Sequence, residues 1–341
     1  MNLKIELIME AEWSNSMEYT HIRQASDEAL DYIERRRQGL EKSLETRWDK
    51  FNKVTMSGLD WNTIVTIGGM SGSGKSAIAN ELETSLFDRN PNENFAVLSF
   101  NFEMLALKQV GRKISSKLDK TVSELYSAEN NLSDDDYNLV KDRADSIADN
   151  YDIFYVDSPG TVEQVYDTVM KFHKEQIKKH GDDFGVVIFL DHTLLTKGRQ
   201  RESERELLSR LYKMFMFVKK KIKCIFVALS QLNREIESAD RLSNPMLHYP
   251  MKKDIFGSDA VFHGSDYVMI SHKPYMLNMQ TYGPNNLPIV NPLNSKQAMI
   301  YWHLIKNRDG ESGVVLSMTD NLQYSRVDEY YEPGKLQFNI S

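Results

Sequence analysis

The clearest chemistry in the chain lies in Gly69-Met70-Ser71-Gly72-Ser73-Gly74-Lys75-Ser76, which has the spacing G-x-x-x-x-G-K-[ST]. Glycines let successive backbone N–H groups wrap a phosphate without side-chain clashes. A helix beginning at the end of such a loop adds the partial positive charge of its N-terminus. Lys75 is long enough to reach β- and γ-phosphates, and the Ser76 hydroxyl is suited to Mg2+. The expected cradle is Gly69, Ser71, Gly72, Ser73, Gly74, Lys75, Ser76 and Ala77, with ATP and Mg2+ as ligands. A Gly/Ser-rich turn can share this composition by chance. Here the flanks argue otherwise, because the apolar run Ile64–Ile67 precedes the loop and an alanine- and leucine-bearing pattern of helical period follows it.

Such a loop works only if a sheet presents it. Four further apolar runs read as buried strands: Phe95–Phe100, Tyr151–Val156, Gly185–Leu190 and Ile222–Leu229. Helical patterns separate them, and strands that are apolar throughout indicate a parallel sheet covered on both faces. The fold class expected is therefore α/β, with a mostly parallel central sheet. Beyond Gln231 the texture becomes loop-like, rich in Pro, Gly and Asp. Met299–Ile305 and Gly313–Ser317 then suggest a closing antiparallel hairpin, with Lys273–Lys296 as a surface excursion. Residues 17–51 are highly charged, with Ile22, Leu30, Ile33, Leu40 and Leu44 near helical spacing. Either a solvated helix or one docking on a neighbouring subunit fits that pattern.

In a parallel sheet, functional groups gather where strands end at their carboxyl edge. Asp191 follows GVVIFL, the place where a carboxylate holds Mg2+ together with Ser76. Glu103 lies just past FAVLSF and could orient and deprotonate a water. Gln231 lies just past CIFVALS, where an amide could sense the γ-phosphate. Lys306 and Arg308 sit at the expected hairpin tip; they could be a solvated turn, or could reach the site of a neighbouring subunit and stabilise charge in phosphoryl transfer. Lys197, Arg199 and Arg201 form a basic loop, suited either to a phosphate backbone or simply to solvent.

The bulk numbers narrow the function classes. With 42 basic against 49 acidic residues the formal charge is −7, so the strongly basic balance of an autonomous nucleic-acid binder is missing. Basic residues concentrated around a channel would escape that argument. A lone cysteine, Cys224, rules out a disulfide framework and a cysteine-based zinc site. No apolar stretch approaches a membrane span, and the N-terminus lacks the order of a signal peptide. The expected compartment is cytoplasmic.

With these pieces in order, the chain resembles the ATPase domain of DnaB-like replicative helicases, within the RecA-like group. The resemblance runs from about Ile33 to Val315 through YIERRR, GLDWNTIVTIGGMSGSGKSAIA, LSFNFEM, IFYVDSPGTVEQV, VVIFLDHTLL, FVALSQLNRE, KKDIFGSDAVFHGSDYVMI and IKNRDGESG. It implies that Glu103 is the catalytic base, Gln231 the γ-phosphate sensor, and Arg308 an arginine finger acting in trans with Lys306 beside it. It also implies a homo-hexamer with ATP sites between subunits, encircling single-stranded DNA, with a primase or a helicase loader as a further partner. Two regions match the family's channel loops: Lys197–Arg201, and a stretch containing Phe256, Gly257, Ser258 and Asp259. Many relatives carry an Arg-Glu pair where this chain has Phe256-Gly257, which shifts the expectation from side chains to backbone amides. The expectation is a chain without the family's helical N-terminal domain, a minimal form that suggests a bacteriophage origin. The domains expected are a leader and linker helix over 1–53, a RecA-like ATPase over 54–325 and a tail over 326–341. The leading functional expectation is a ring-forming DNA helicase. The alternatives are a RecA-like ATPase that remodels or loads other proteins on DNA, and a nucleotide-gated assembly protein.

Overall fold

The structure is a computed structural model and describes residues 19–191 and 196–331. The expected leader at 1–16 and the end of the expected tail lie outside the described residues. The chain divides into two compact units, Met1–Ser43 and Leu44–Ser341.

In the first unit the charged segment forms helix α1, Ile22–Arg37, shorter than its sequence pattern suggested. The His21 ring accepts from the Arg23 amide at its start, and Arg35, Arg36 and Arg37 occupy its last turn, where cations complement the helix dipole. None of its residues is buried; Ile22, Leu30 and Ile33 stand exposed.

The second unit begins where the helical expectation fails. Leu44 is fully buried, bridges to Leu59, and belongs to the core with Trp48 and Phe51. A short helix α2, Asp49–Val54, leads into strand β1, Thr63–Gly69. Then follow α3 (Lys75–Arg89), β2 (Phe95–Asn101), α4 (Ala106–Leu118), α5 (Val122–Leu125), α6 (Asp134–Asn150) and β3 (Ile153–Val156). Next come α7 (Val162–His180), β4 (Gly185–Asp191), α8 (Glu204–Val218), β5 (Cys224–Gln231), α9 (Ala239–Ser243), α10 (Ser258–Gly264) and β6 (Tyr267–His272). The chain closes with β7 (Val290–Asn291), β8 (Asn294–Asn307), β9 (Val314–Asn321) and β10 (Arg326–Glu329).

These strands make one sheet in the order β10-β9-β8-β6-β1-β5-β4-β2-β3, with β7 paired to β8. The run from β6 to β3 is parallel, and β8, β9 and β10 continue it antiparallel, as the fold class expected. Period-two alternation distributes each strand between two cores. From β5, Cys224, Phe226 and Ala228 join the layer under α7 and α8, while Ile225, Val227 and Leu229 join the layer under α3. Burial of each of the larger of these side chains, Phe226, Ile225, Val227 and Leu229, contributes about 1.5–3 kcal/mol, which helps make a covered parallel sheet rigid enough to aim its strand tips. Its apolar surroundings push the Cys224 thiol up to about 12, so it is a core residue and not a nucleophile.

Residues 326–329, expected in the tail, are instead the edge strand β10. Trp48 fastens this edge by donating its indole N–H to the Val327 carbonyl at 2.8 Å, and it packs edge-on against Trp302.

Candidate active site

The carboxyl edge of the parallel strands frames a cavity of about 630 Å3. Its lining includes Ser71, Gly72, Gly74, Lys75, Ser76 and Ala77 from the loop and first turn of α3. Glu103 enters from beyond β2, Asp191 from the tip of β4 and Gln231 from the tip of β5. Residues from separate strands thus meet in one space. The other walls come from Thr121–Ser123 beside α5 and from Leu322, Gln323 and Ser325 in the turn between β9 and β10.

Two glycines show why the loop has its composition. A Cβ on Gly69 would run into Ser73 Oγ and the Ser271 carbonyl, so the loop could not pass the end of β6 so closely. Gly74 has φ +97° at the position before α3, a conformation L side chains rarely adopt. Ser271 Oγ donates to the Ser73 carbonyl at 2.6 Å and pins the loop from the neighbouring strand. Ser73 itself is buried, with its hydroxyl donating to the Met70 carbonyl, so its role is to hold the loop's shape.

Lys75 Nζ donates to the carbonyls of Gly69 and Met70, both at 2.9 Å. Burial pushes this ammonium below its ordinary value, and the carboxylates of Asp191 and Glu103 pull it partly back. A phosphate would offer the same compensation far more strongly. Ser76 and Asp191 offer hydroxyl and carboxylate oxygens to the same cavity, a hard donor pair that suits Mg2+.

Arg112, which the sequence analysis missed, lines the same cavity from α4. It is lowered by burial and supported by Asp191 and Glu103, the same balance that acts on Lys75. No local motif marks it. The available signal was an arginine on the helix leaving the Glu103 strand tip, which is indistinct among 42 basic residues.

Arg308 and Lys306 do not approach this chain's own cavity. Arg308 Nε meets Asp266 Oδ1 at 2.8 Å, and its backbone N–H donates to the Asp266 carbonyl. Asp266 is 3 % exposed and also accepts from the Ile64 amide at 2.8 Å, at the opposite end of β1 from the P-loop. The finger candidate therefore sits at the amino edge of the sheet, about 17 Å along β1 from Gly69. Lys306 Nζ donates to the Phe262 carbonyl at 2.5 Å, over the ring of that residue.

The two loops expected at nucleic acid flank α8 and α10. Lys197 bridges Thr161 through its backbone. Arg199 pairs with Glu163 at 2.9 Å, while Arg201 is exposed with φ +66°. Phe256 is half-buried, and its amide donates to the Gln231 carbonyl. Gly257 has φ +65° and a Cβ there would stand 2.5 Å from Leu208 Cδ1, so the loop is folded against α8. Asp259 is paired with Lys252 at 2.9 Å, which holds its carboxyl below the ordinary range. Ser258 begins α10.

The family model for the DnaB-like helicase C-terminal domain matches residues 43–328. The replicative DNA helicase DnaB of Helicobacter pylori strain 26695 is 24% identical over 266 residues, covering 77% of this chain and 51% of the relative. Its counterpart in strain J99 is 23% identical over 225 residues, covering 66% and 43%. The chain thus spans about half the length of the curated relatives it matches. One solved structure, itself an isolated ATPase domain, superposes with a TM-score of 0.70 at 17% identity, covering 89% of this chain and 98% of that one. A DnaB-like replicative helicase, solved in a study of its interactions with primase, gives 0.71 at 17% identity, covering 97% and 72%. With the phosphate loop, the carboxylate tips and the strand order in agreement with a match over most of its length, this chain belongs to the DnaB-like helicase C-terminal domain family.

Proposed function

We propose that this protein is an ATP-hydrolysing motor that assembles as a homo-hexameric ring, moves along single-stranded DNA and separates duplex DNA during replication. The observation that carries the reading is the convergence of Lys75, Ser76, Glu103, Asp191 and Gln231 on one cavity. A pure scaffold has no use for a carboxylate placed to activate water.

In this reading the loop amides and Lys75 hold the phosphates, Lys75 exchanging its two carbonyl partners for phosphate oxygens. Ser76 and Asp191 hold Mg2+, which when bound neutralises charge on the β- and γ-phosphates. Glu103 orients the attacking water and takes its proton. Arg112 adds positive charge from within the same subunit. Arg308, held by Asp266 at the far edge of the sheet, serves the next subunit's site, with Lys306 beside it; that position is unusable in cis and suited to a ring. Gln231 reads the γ-phosphate, and its carbonyl bond to Phe256 carries the reading to the DNA loop. Lys197, Arg199 and Arg201, with the backbone around Gly257, Ser258 and Asp259, contact the DNA phosphates. The exposed apolar residues of α1 suit docking on an adjacent subunit. A primase or a helicase loader is the further partner in this reading. No helix among the described residues is long and apolar enough to cross a membrane.

The test is unwinding of a forked DNA with ATP and Mg2+, wild type beside Glu103→Gln. Strand separation by the wild type alone is expected. DNA-stimulated hydrolysis without separation would move the reading to a remodelling or loading ATPase.

A further inference from the structure

Behind the cavity, a buried polar network joins three elements. Lys113 of α4 is 1 % exposed and donates to Glu83 Oε2 at 2.5 Å and to Asn80 Oδ1 at 2.8 Å, both on α3. The other oxygen of Glu83 accepts from Ser99 on β2. Gln109 Nε2 donates to Asn101 Oδ1 at 3.3 Å, at the tip of β2. Asn80 and Asn101 are 2 % and 3 % exposed, and the amide nitrogen of each is buried without a hydrogen-bond partner among the described residues. Leaving a buried donor unbonded is costly, so two such donors demand an explanation.

Both asparagines line one small cavity, together with Glu83, Gln109, Ser76 and Asp191. It leaves about 10 Å3 for the centre of a water-sized sphere, room for one water molecule. A water has two lone pairs and two O–H donors. The amides of Asn80 and Asn101 match the lone pairs. Among the acceptors lining the cavity, Glu83 is already engaged by Lys113 and Ser99; the Asp191 carboxylate, with two oxygens that each accept more than one bond, the Ser76 hydroxyl and Gln109 Oε1 can take the water's protons. Asn101 is also the residue paired with Asp191 across β2 and β4.

We propose that Asn80 and Asn101 are positioning residues that hold one buried water against Asp191, and through it fix the carboxylate that ligates Mg2+. The Lys113–Glu83 pair and Gln109 fix the asparagines by their oxygens, so that their nitrogens have nowhere else to turn. This inference rests on the nucleotide site proposed above and adds the supporting shell that such a metal ligand requires.

The test uses the full chain, with Asn80→Leu and Asn101→Leu made separately, each removing the amide at similar volume. Binding of a fluorescent ADP is titrated with Mg2+. Each variant should need about ten-fold more Mg2+ for half-saturation, with Mg2+-free nucleotide affinity unchanged. Unchanged Mg2+ midpoints, or an equal loss with and without Mg2+, would overturn the inference while leaving the nucleotide site intact. A wild type that binds no nucleotide would overturn both. Should either leucine variant not fold, a high-resolution crystal structure of the wild type decides. A water bonded to both asparagine nitrogens and to Asp191 supports the inference, and its absence from the occupied site refutes it.

Discussion

The backbone N–H of Phe256 donates to the carbonyl of Gln231 at 3.1 Å, while the Gln231 side chain lines the nucleotide cavity. One residue therefore lines the candidate nucleotide cavity and has its main chain bonded to the loop proposed to carry DNA. The next bonds continue the attachment: Leu232 bridges Ile255, and the Asn233 amide donates to the Asp254 carbonyl at 2.6 Å. These bonds tie the backbone of Gln231 and the two residues after it to this loop.

Removing the chemistry should separate binding from turnover. Lys75→Ala is expected to abolish nucleotide binding and hydrolysis together. Glu103→Gln should bind nucleotide with wild-type affinity while turnover falls by roughly 10²–10⁴-fold. Equilibrium binding beside steady-state ATPase assays checks both, and normal hydrolysis by Glu103→Gln would remove its assignment as base.

Arg308→Ala should lower hydrolysis by about 10³-fold or more, because an arginine finger stabilises transition-state charge. Mixed with wild type, it should depress activity more steeply than its share of subunits. A strictly proportional decline on mixing would place its effect within its own subunit.

The loop carrying Phe256 is closed by one buried ion pair. The Arg241 guanidinium meets Asp254 Oδ1 at 2.6 Å and also donates to the Leu247 and Tyr249 carbonyls. Asp254 is fully buried, so Arg241→Met should cost about 3–5 kcal/mol by stranding its charge. Denaturant unfolding measures this, and a loss below about 1 kcal/mol would show that water reaches Asp254.

Among the basic loop residues, Arg201→Ala should lessen the salt dependence of single-strand binding by about 0.7 in log–log slope. Arg199→Ala should do less, since that guanidinium is shared with Glu163. Affinity measured at several salt concentrations distinguishes the two.

Acid should destabilise the fold through two buried imidazoles. His272 and His303 both hydrogen-bond the Tyr282 hydroxyl; burial lowers His272 to about 3 and His303 well below its ordinary value. A histidine depressed in the folded state contributes full stability above its unfolded value, about 6.5, and loses it as pH falls below that. Each contributes a loss of about 1.4 kcal/mol per pH unit in that window. Thermal unfolding followed from neutral to mildly acidic pH should show this slope, and it should flatten in His303→Gln.

The site divides into parts written locally and parts assembled from afar. Gly69 to Ser76, Asp191, Glu103 and Gln231 each follow an apolar strand, and a strand tip in a parallel sheet is readable from a few neighbouring residues. Arg112 carries no such mark, because its place depends on how α4 turns after Glu103. Leu322, Gln323 and Ser325 reach the P-loop from the far end of the chain, beside an edge strand whose sequence, RVDE, reads as a polar tail. Leu44 belonged by periodicity to the charged helix and by packing to the core, and packing decided.

The bond from Asp266 to Ile64 has a mechanical consequence. Strand β1 leads into the phosphate loop at one end and, at the other, carries Ile64, whose amide donates to Asp266, the residue that holds Arg308. In the proposed ring this makes each subunit a stiff strut. A displacement at the phosphate loop would be felt, through the covalent strand, the Ile64–Asp266 hydrogen bond and the Asp266–Arg308 ion pair, at the guanidinium proposed to serve the neighbour. Such struts joined end to end would couple each nucleotide site of the proposed ring to the next, with equal strength in both directions.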